Sequence, residues 1–559
     1  MNIKIISNGF LKHETIFKKQ LDQRISVSYT DGGMTVEFKI DESFALEESY
    51  KISEIKENYW LISAKDELGL YYGIGKFLHS AKWTEQNFVP RGTMGVISPD
   101  CSFRAVYTCC HLFNFYEMAP ITVLEKYLEE LLLWGYNTIH GILSVVGYDS
   151  PCDEGFKKAS EQLRRTFKIA KSLGMKVSFC IVANQAFLGA PHEIDNNPDF
   201  NQFLRGNAGR NVCLSKPEGW AYMENLWKME LETFKDIGLD YIKTWPYDEG
   251  GCGCDGCKPW GANMFLKASK AIYEIAKEMY PGIKSILSTW GFDAEYDEGE
   301  YKGLYDSLTK DMSYLDYIMV DSHESYPEHV LNNDLIKPVI NFPEVSMYHL
   351  YPWGGFGANP LLMHFDEIWQ RTKHILSGGE PYSEGIYEDI SKIQFIGYYW
   401  NKNRDIKDII SEYINYEFEE SVIDDVYEIM LLTEENHIRI SKKLEPDIKI
   451  SQKAVDLAEK VNSKLNDRAK SCWRWRILYI RVMLDFMRYF AYFEGERNEM
   501  NVWRLKFYSA DSLINNKKAQ SMFKELRDLY YSVSFNGRNA YTLPPLNGTS
   551  FCEGFNPAF

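Results

Sequence analysis

The sequence predicts an α/β protein: a (β/α)8 TIM barrel preceded by a small α/β domain and followed by an all-helical domain. Three observations carry this. Between Phe103 and Asn401, strand-like and helix-like stretches alternate often enough to supply eight strands, the count and span of a closed parallel barrel. Three of the intervening helical stretches run into Gly135, Gly174 and Gly238, glycine being the usual stop just past a helix C-terminus. From about residue 402 the strand signal nearly vanishes and long amphipathic helical patterns take over. A doubly wound open sheet is the alternative. It would bring a glycine-rich phosphate loop near its first strand, and none stands there.

The expected divisions are residues 1–95, 96–401 and 402–559. In the first, Arg24–Ser28 and Met34–Ile40 alternate as strands around an Asp31-Gly32-Gly33 turn, and Tyr59–Ala64 reads as a further strand. Leu68–Leu78 has apolar residues at helical spacing behind Asp66-Glu67. Its three glycines weaken an isolated helix, so close packing against a neighbour is expected. Barrel strands are expected at 103–112, 137–143, 176–184, 241–249, 284–291, 317–323, 337–345 and 380–387. In the third region Asp405–Phe418, Val422–Lys442, Ser451–Asn466 and Trp473–Glu494 read as helices. Arg474, Arg476, Arg481 and Arg488 lie among large apolar residues of the last, and are expected to pair with acids where these helices pack on the barrel.

Bulk properties narrow the function. A chain of 559 residues with 45% hydrophobic and 25% charged residues is a soluble globular protein of several domains. A net charge of −17 argues against nucleic acid or an anionic membrane as the main partner. No stretch approaches the ~20 apolar residues of a membrane span, and Met1–Ser7 lacks the apolar core of a signal peptide. Eleven cysteines without an export signal read as reduced thiols in the cytoplasm. The 15% aromatic share suits a ligand cleft, a sugar cleft in particular, as well as an aromatic-rich core.

In such a barrel the site gathers at the C-terminal ends of the strands. The residues expected there are Asn184, Asp248, Glu249, Trp290, Asp321, His323, Glu344 and Glu384, while the first strand carries Arg104, with His111 at its far end. Four strands end in carboxylates. Acids converging on one mouth repel when all are ionised, so at least one is expected to stay protonated near neutral pH. A protonated acid beside ionised carboxylates is what glycosidic bond cleavage needs. Asp248 and Glu249 precede Gly250-Gly251, which ends the strand and lets both side chains reach the site. Glu249 is the first candidate for general acid/base; Asp248 is its partner or a helix cap. The aromatic, glycine-rich Tyr348–Gly357, with Trp353, is a candidate stacking platform. In Tyr382–Asp389, Glu384 is expected to face the site while Glu388 and Asp389 cap the next helix.

Directly after the carboxylates comes Cys252-Gly253-Cys254-Asp255-Gly256-Cys257. Three thiols at this spacing can fold around one structural zinc, with Cys213 as a fourth ligand; unligated thiols in a tight loop are the alternative. The chemistry itself requires no cofactor.

The run Leu68-Gly69-Leu70-Tyr71-Tyr72-Gly73, ahead of a barrel beginning near Phe103-Arg104, resembles the accessory domain and barrel start of family-20 β-N-acetylhexosaminidases. The resemblance implies that Asp248 steers the 2-acetamido group of the substrate as internal nucleophile and that Glu249 is the general acid/base. It also implies that Arg104 binds sugar hydroxyls and that Trp290 walls the sugar pocket. Thr244-Trp245-Pro246-Tyr247 stands where that family has His-x-Gly-Gly. The helical C-terminal region is similar to the layout of α-glucuronidases, which implies a second carboxylate on a later strand, Glu344 or Glu384. A carboxylate separation near ~5 Å goes with retention, ~6.5–9.5 Å with inversion. The expectation is an exo-acting glycoside hydrolase of short oligosaccharides. Its rivals are a non-catalytic carbohydrate-binding protein on the same scaffold and a metal-dependent hydrolase or lyase.

Overall fold

A computed structural model of the chain describes residues 1–84, 86–108, 115–145, 147–197, 210–246, 251–290, 300–308, 310–321, 337–346, 358–495, 497 and 516–530. The chain opens with a four-stranded sheet in the spatial order Ile3–Ile6, Met34–Ile40, Tyr59–Ala64, Tyr50–Lys56. Only the last pair is antiparallel. The expected hairpin between Arg24–Ser28 and Met34–Ile40 does not form: Met34–Ile40 pairs in parallel with Ile3–Ile6, and Ser28 contributes a single bridge to Asn2.

The glycine-rich helix behind this sheet spans Glu67–His79, capped by the Asp66 carboxylate, which accepts the Gly69 amide at 2.8 Å. Gly75 is there for contact. A Cβ on it would lie 1.8 Å from the Leu133 carbonyl oxygen, so the helix presses directly on the barrel helix Ile121–Trp134.

The barrel is closed and parallel. Its strands are β1 (Phe103–Thr108), β2 (Thr138–Ile142), β3 (Lys176–Val182), β4 (Tyr241–Trp245), β5 (Lys284–Ser288), β6 (Tyr317–Asp321), β7 (Val339–Phe342) and β8 (Leu376–Gly379). β8 closes on β1 by pairing Gly378 with Phe103 and Gly379 with Arg104, and a second short run, Tyr382–Ser383, continues along β1 at Tyr107 and Thr108. The eighth strand therefore begins earlier than the expected 380–387. Side chains fill the interior in layers: Phe103, Tyr241 and Tyr317 meet near the strand starts with ring centroids 5.2–6.1 Å apart. Gly135 and Gly174 close their helices at φ of +116° and +82°, while Gly238, at +80°, follows a run of turns beyond the helix Pro217–Glu232.

After the barrel come helices Ile406–Glu417, Ile423–Ser441, Ile448–Lys464, Trp473–Glu494 and Lys517–Tyr530. The arginines of Trp473–Glu494 are paired as expected: Arg474 with Asp389 at 2.7 Å, Arg476 with Glu525 at 2.6 Å, and Arg481 and Arg488 with the two oxygens of Asp485 at 2.5 and 2.6 Å. The Arg474 link ties this helix to the element that follows β8. Among the described residues no helix is long and apolar enough to cross a membrane.

Candidate active site

Asp248, Glu249, His323 and Trp353 lie outside the described residues, as does the side chain of Asp321, whose backbone ends β6. What flanks Asp248-Glu249 is fixed on both sides. Before them, the Pro246 carbonyl accepts the Trp260 indole N–H at 2.9 Å, and Trp245 stacks on Trp290 with centroids 5.5 Å apart. After them, Asn184 grips the backbone of Gly251: its Oδ1 accepts the Gly251 N–H at 2.6 Å, and its Nδ2 donates to the Gly251 carbonyl at 2.9 Å. The same Nδ2 donates to the Val212 carbonyl. Asn184 is fully buried. Both ends of its amide serve the loops after β3 and β4, so it shapes the site instead of presenting itself to substrate.

Glu344 and Glu384 meet at the tips of β7 and β8. Glu344 bridges in parallel to Tyr382, and the Tyr382 amide donates to the Pro343 carbonyl at 2.9 Å. Ser346 Oγ fastens the junction, donating to the Tyr382 carbonyl at 3.2 Å and accepting the Glu384 amide at 3.0 Å. Glu344 is half-buried and Glu384 is 4% exposed. Burial first, then the neighbouring Glu388 and Glu344, push the Glu384 carboxyl up to about 8, although the Tyr382 phenol donates to its Oε1 at 3.2 Å. A carboxyl raised in this way beside further acidic side chains is the kind of arrangement acid/base chemistry can use.

Glu388 departs from its expected capping role. It is the residue ahead of the helix Asp389–Trp400, but its carboxylate makes no capping bond to that helix. It turns back instead, accepting from Ser383 Oγ and the Gly385 amide, each at 3.1 Å. Asp389 is spent on tertiary contacts, accepting from the phenols of Tyr127 and Tyr413 and from Arg474.

Beneath the mouth sits a charged core that the sequence reading missed. Lys243 of β4 pairs with Glu380 at 2.7 Å, and His140 Nδ1 of β2 lies 3.1 Å from the other oxygen of Glu380. The rings of Tyr107, Trp245 and Phe342 surround the ammonium at 4.5, 4.9 and 5.1 Å. The available signal was Lys243 sharing the inward parity of Tyr241 and Trp245, since a lysine facing a barrel interior needs a buried anion.

Arg104 corrects an expectation. It lies at the start of β1, the opposite end from the mouth. Its guanidinium donates to the Gly135 carbonyl at 2.9 Å, the Cys101 carbonyl at 2.8 Å and the Glu48 carboxylate. It is fully buried and fastens the barrel floor to Glu48, just ahead of the N-terminal strand Tyr50–Lys56. Trp290 is 8% exposed and packed on Trp245. Cys252, Cys254 and Cys257 come together with Cys213 beside the loop that Asn184 holds; these are the described residues whose chemistry suits a metal.

No protein-family model matches the sequence, and no curated protein does. Solved structures match the fold. An enzyme of glycoside hydrolase family 138, targeting the pectin rhamnogalacturonan II, is 12% identical with a TM-score of 0.60, over 99% of this chain and 97% of that one. A family-115 4-O-methyl-α-glucuronidase with specificity for decorated arabinogalactans is 10% identical with a TM-score of 0.61, over 98% and 79%. A family-89 enzyme from Clostridium perfringens, bound to its substrate GlcNAc-α-1,4-galactose, is 12% identical with a TM-score of 0.58, over 93% and 65%. The barrel with its flanking regions is thus a fold shared with members of glycoside hydrolase families 138, 115 and 89.

Proposed function

We propose that this protein is an exo-acting glycoside hydrolase that removes a terminal sugar from short oligosaccharides in the cytoplasm. Glu249 is the general acid/base. It gives its proton to the leaving oxygen as the glycosidic C–O bond breaks, then takes a proton from the water that attacks the anomeric carbon. The second group at the anomeric carbon is the substrate's own acetamide, steered by Asp248, in a β-N-acetylhexosaminidase-like reaction. The observation that carries the glycosidase reading is the meeting of two acidic side chains, Glu344 and Glu384, at adjacent strand tips of a barrel whose fold is shared with several glycoside hydrolase families.

A second reading has its own support. Glu344 stands at the end of β7, where an α-glucuronidase-like or other two-carboxylate mechanism needs its second acid, and the barrel is followed by a helical region. In that version Glu344 acts directly on the anomeric carbon or on the attacking water.

The test is a screen of nitrophenyl N-acetylglucosaminide, N-acetylgalactosaminide and glucuronide against wild type and Glu249→Gln. The variant is expected to lose a factor of about 10²–10⁴ in kcat on an oligosaccharide, whose leaving oxygen needs a proton, and less on these nitrophenyl substrates, whose leaving group departs with little help from an acid. Oligosaccharide turnover unchanged by the substitution removes Glu249 as the acid. Sugar binding with no turnover of any glycoside by wild type hands the site to the non-catalytic alternative.

A further inference from the structure

The Sγ atoms of Cys213, Cys252, Cys254 and Cys257 all lie within 4.8 Å of one another. Cys213 is 3.6 Å from Cys254 and 4.0 Å from Cys257, sulfur to sulfur. A disulfide needs about 2.05 Å, and all four are free thiols. A single tetrahedral ion bonded to four thiolates at ~2.3 Å puts its sulfurs roughly 3.8 Å apart. The spacing is therefore that of ligands around one ion. We infer that these four cysteines form a closed structural zinc site clamping the loop after β3 to the loop after β4.

The ligand set selects the metal and its role. Four soft sulfur donors favour zinc or iron over calcium, magnesium or manganese. With every corner of the tetrahedron filled by protein, no position stays open for water or substrate, which makes the site structural and not catalytic. Three of the sulfurs are buried, and Cys254 is half-buried. The surroundings suit thiolates: the Asn197 amide donates to Cys252 Sγ at 3.4 Å, and the Ser215 hydroxyl lies 3.1 Å from Cys213 Sγ and 3.3 Å from Cys254 Sγ. Such outer contacts orient ligands and stabilise their charge. The loop is tightened further where the Gly253 amide donates to the Asn197 carbonyl at 2.6 Å.

The position gives the ion its consequence. Cys252 is next to Gly251, whose backbone Asn184 and Asn196 hold. An ion here fixes the chain just after Asp248-Glu249 and ties it to Cys213 at the end of the neighbouring loop. The site goes beyond the glycosidase reading and does not rest on it.

The experiment is metal analysis of the full chain purified without chelator, read alongside a cobalt-substituted preparation. The expected results are about one zinc per chain, thiolate-to-cobalt charge-transfer bands with tetrahedral d–d bands, and zinc release when a mercurial titrates the thiols. Cys213→Ser and Cys257→Ser are expected to lower zinc to near zero, while Cys152→Ser, at an exposed cysteine outside the cluster, keeps it. Folded wild type that takes up no zinc, that carries iron there instead, or that shows the mass deficit of a disulfide overturns the assignment. Should the cluster variants fail to fold, the wild-type zinc content and cobalt spectrum still decide. Metal content is read without substrate, so a failure of glycoside turnover leaves this result standing.

Discussion

Lys243 Nζ lies 2.7 Å from Glu380 Oε1, and neither side chain exposes any surface. Taking two charges out of water is costly, and their attraction offsets that cost only while both are present. Lys243→Met leaves Glu380 as a buried anion without its cation, and the expected loss is about 3–5 kcal/mol of unfolding free energy in urea. The double variant Lys243→Met/Glu380→Leu removes both charges and is expected to recover most of it. A single variant as stable as wild type means that the pair is not holding the core together.

The same cluster sets an acid limit. Burial first, then the Lys243 cation, lowers His140 to about 4 from 6.5. For Glu380 burial works upward, but Lys243 and His140 outweigh it and hold the carboxyl at about 2, below its ordinary 4.5. Both groups bind protons more readily in the unfolded chain, so their contribution is complete above the unfolded values and is lost as pH falls. His140 acts between about 6.5 and 4, Glu380 between about 4.5 and 2. Unfolding free energy is expected to drop from pH 7 to pH 4, and His140→Gln to flatten that drop. An equal slope in the variant assigns the acid sensitivity elsewhere.

Glu384 has the opposite sign. Its carboxyl is raised from 4.5 to about 8, so the folded state binds the extra proton, and stability falls as pH rises through that window. Glu384→Gln keeps the shape and removes the titration. The variant is expected to match wild type near pH 4.5 and to melt at a higher temperature at pH 9. Parallel melting profiles from pH 4.5 to 9 rule out a buried, protonated Glu384.

Arg104 separates floor from mouth. Its three acceptors are Glu48 and the carbonyls of Gly135 and Cys101. Arg104→Met leaves the buried Glu48 carboxylate without its cation, though the Asn137 amide still donates to it, at an expected cost of about 3–5 kcal/mol. Because these contacts lie at the strand starts, KM for any substrate turned over is expected to stay within about a factor of two, well below the loss from a residue that binds sugar directly. A large rise in KM with stability intact returns Arg104 to the substrate site.

These residues show what the sequence made legible. The barrel could be counted because Gly135, Gly174 and Gly238 mark where its helical stretches stop, all three at positive φ in the structure, Gly238 a few residues past the helix Pro217–Glu232. The arginines of Trp473–Glu494 could be read as paired because a cation among large apolar residues has few other options. Arg104 was given to the substrate by the family resemblance, and a short motif near the start of a strand does not tell what the side chain of that residue reaches. Lys243 and Glu380 stand 137 residues apart, and no local pattern announces such a pair. Cys213 is 41 residues from Cys254; the Cys252–Cys257 spacing suggested a metal-like loop with Cys213 as its fourth ligand, and the fold sets that sulfur 3.6 Å from Cys254 Sγ. Ile3–Ile6 went unread because its partner, Met34–Ile40, lies beyond an intervening helix.

The eighth strand began early for a reason that can be tested. Gly378-Gly379 looks like a break in the pattern, yet these residues form the seam where the barrel closes on Phe103 and Arg104. Gly378 has φ +140°, and a Cβ there would lie 1.7 Å from the Phe103 carbonyl oxygen; on Gly379 it would lie 1.7 Å from Asn341 Oδ1. A backbone oxygen in a closed sheet cannot step aside as the end of a flexible side chain does. Gly378→Ala is therefore expected to open the β8–β1 seam at a cost above ~4 kcal/mol, seen as lost cooperative unfolding or as insoluble protein. Gly238 supplies the control: φ is +80°, but nothing lies within 4 Å of its Cβ position. Gly238→Ala carries only the backbone strain of a left-handed residue, about 1–2 kcal/mol. If the two variants lose similar stability, backbone strain alone explains both, and the glycines of β8 are not what lets the barrel close.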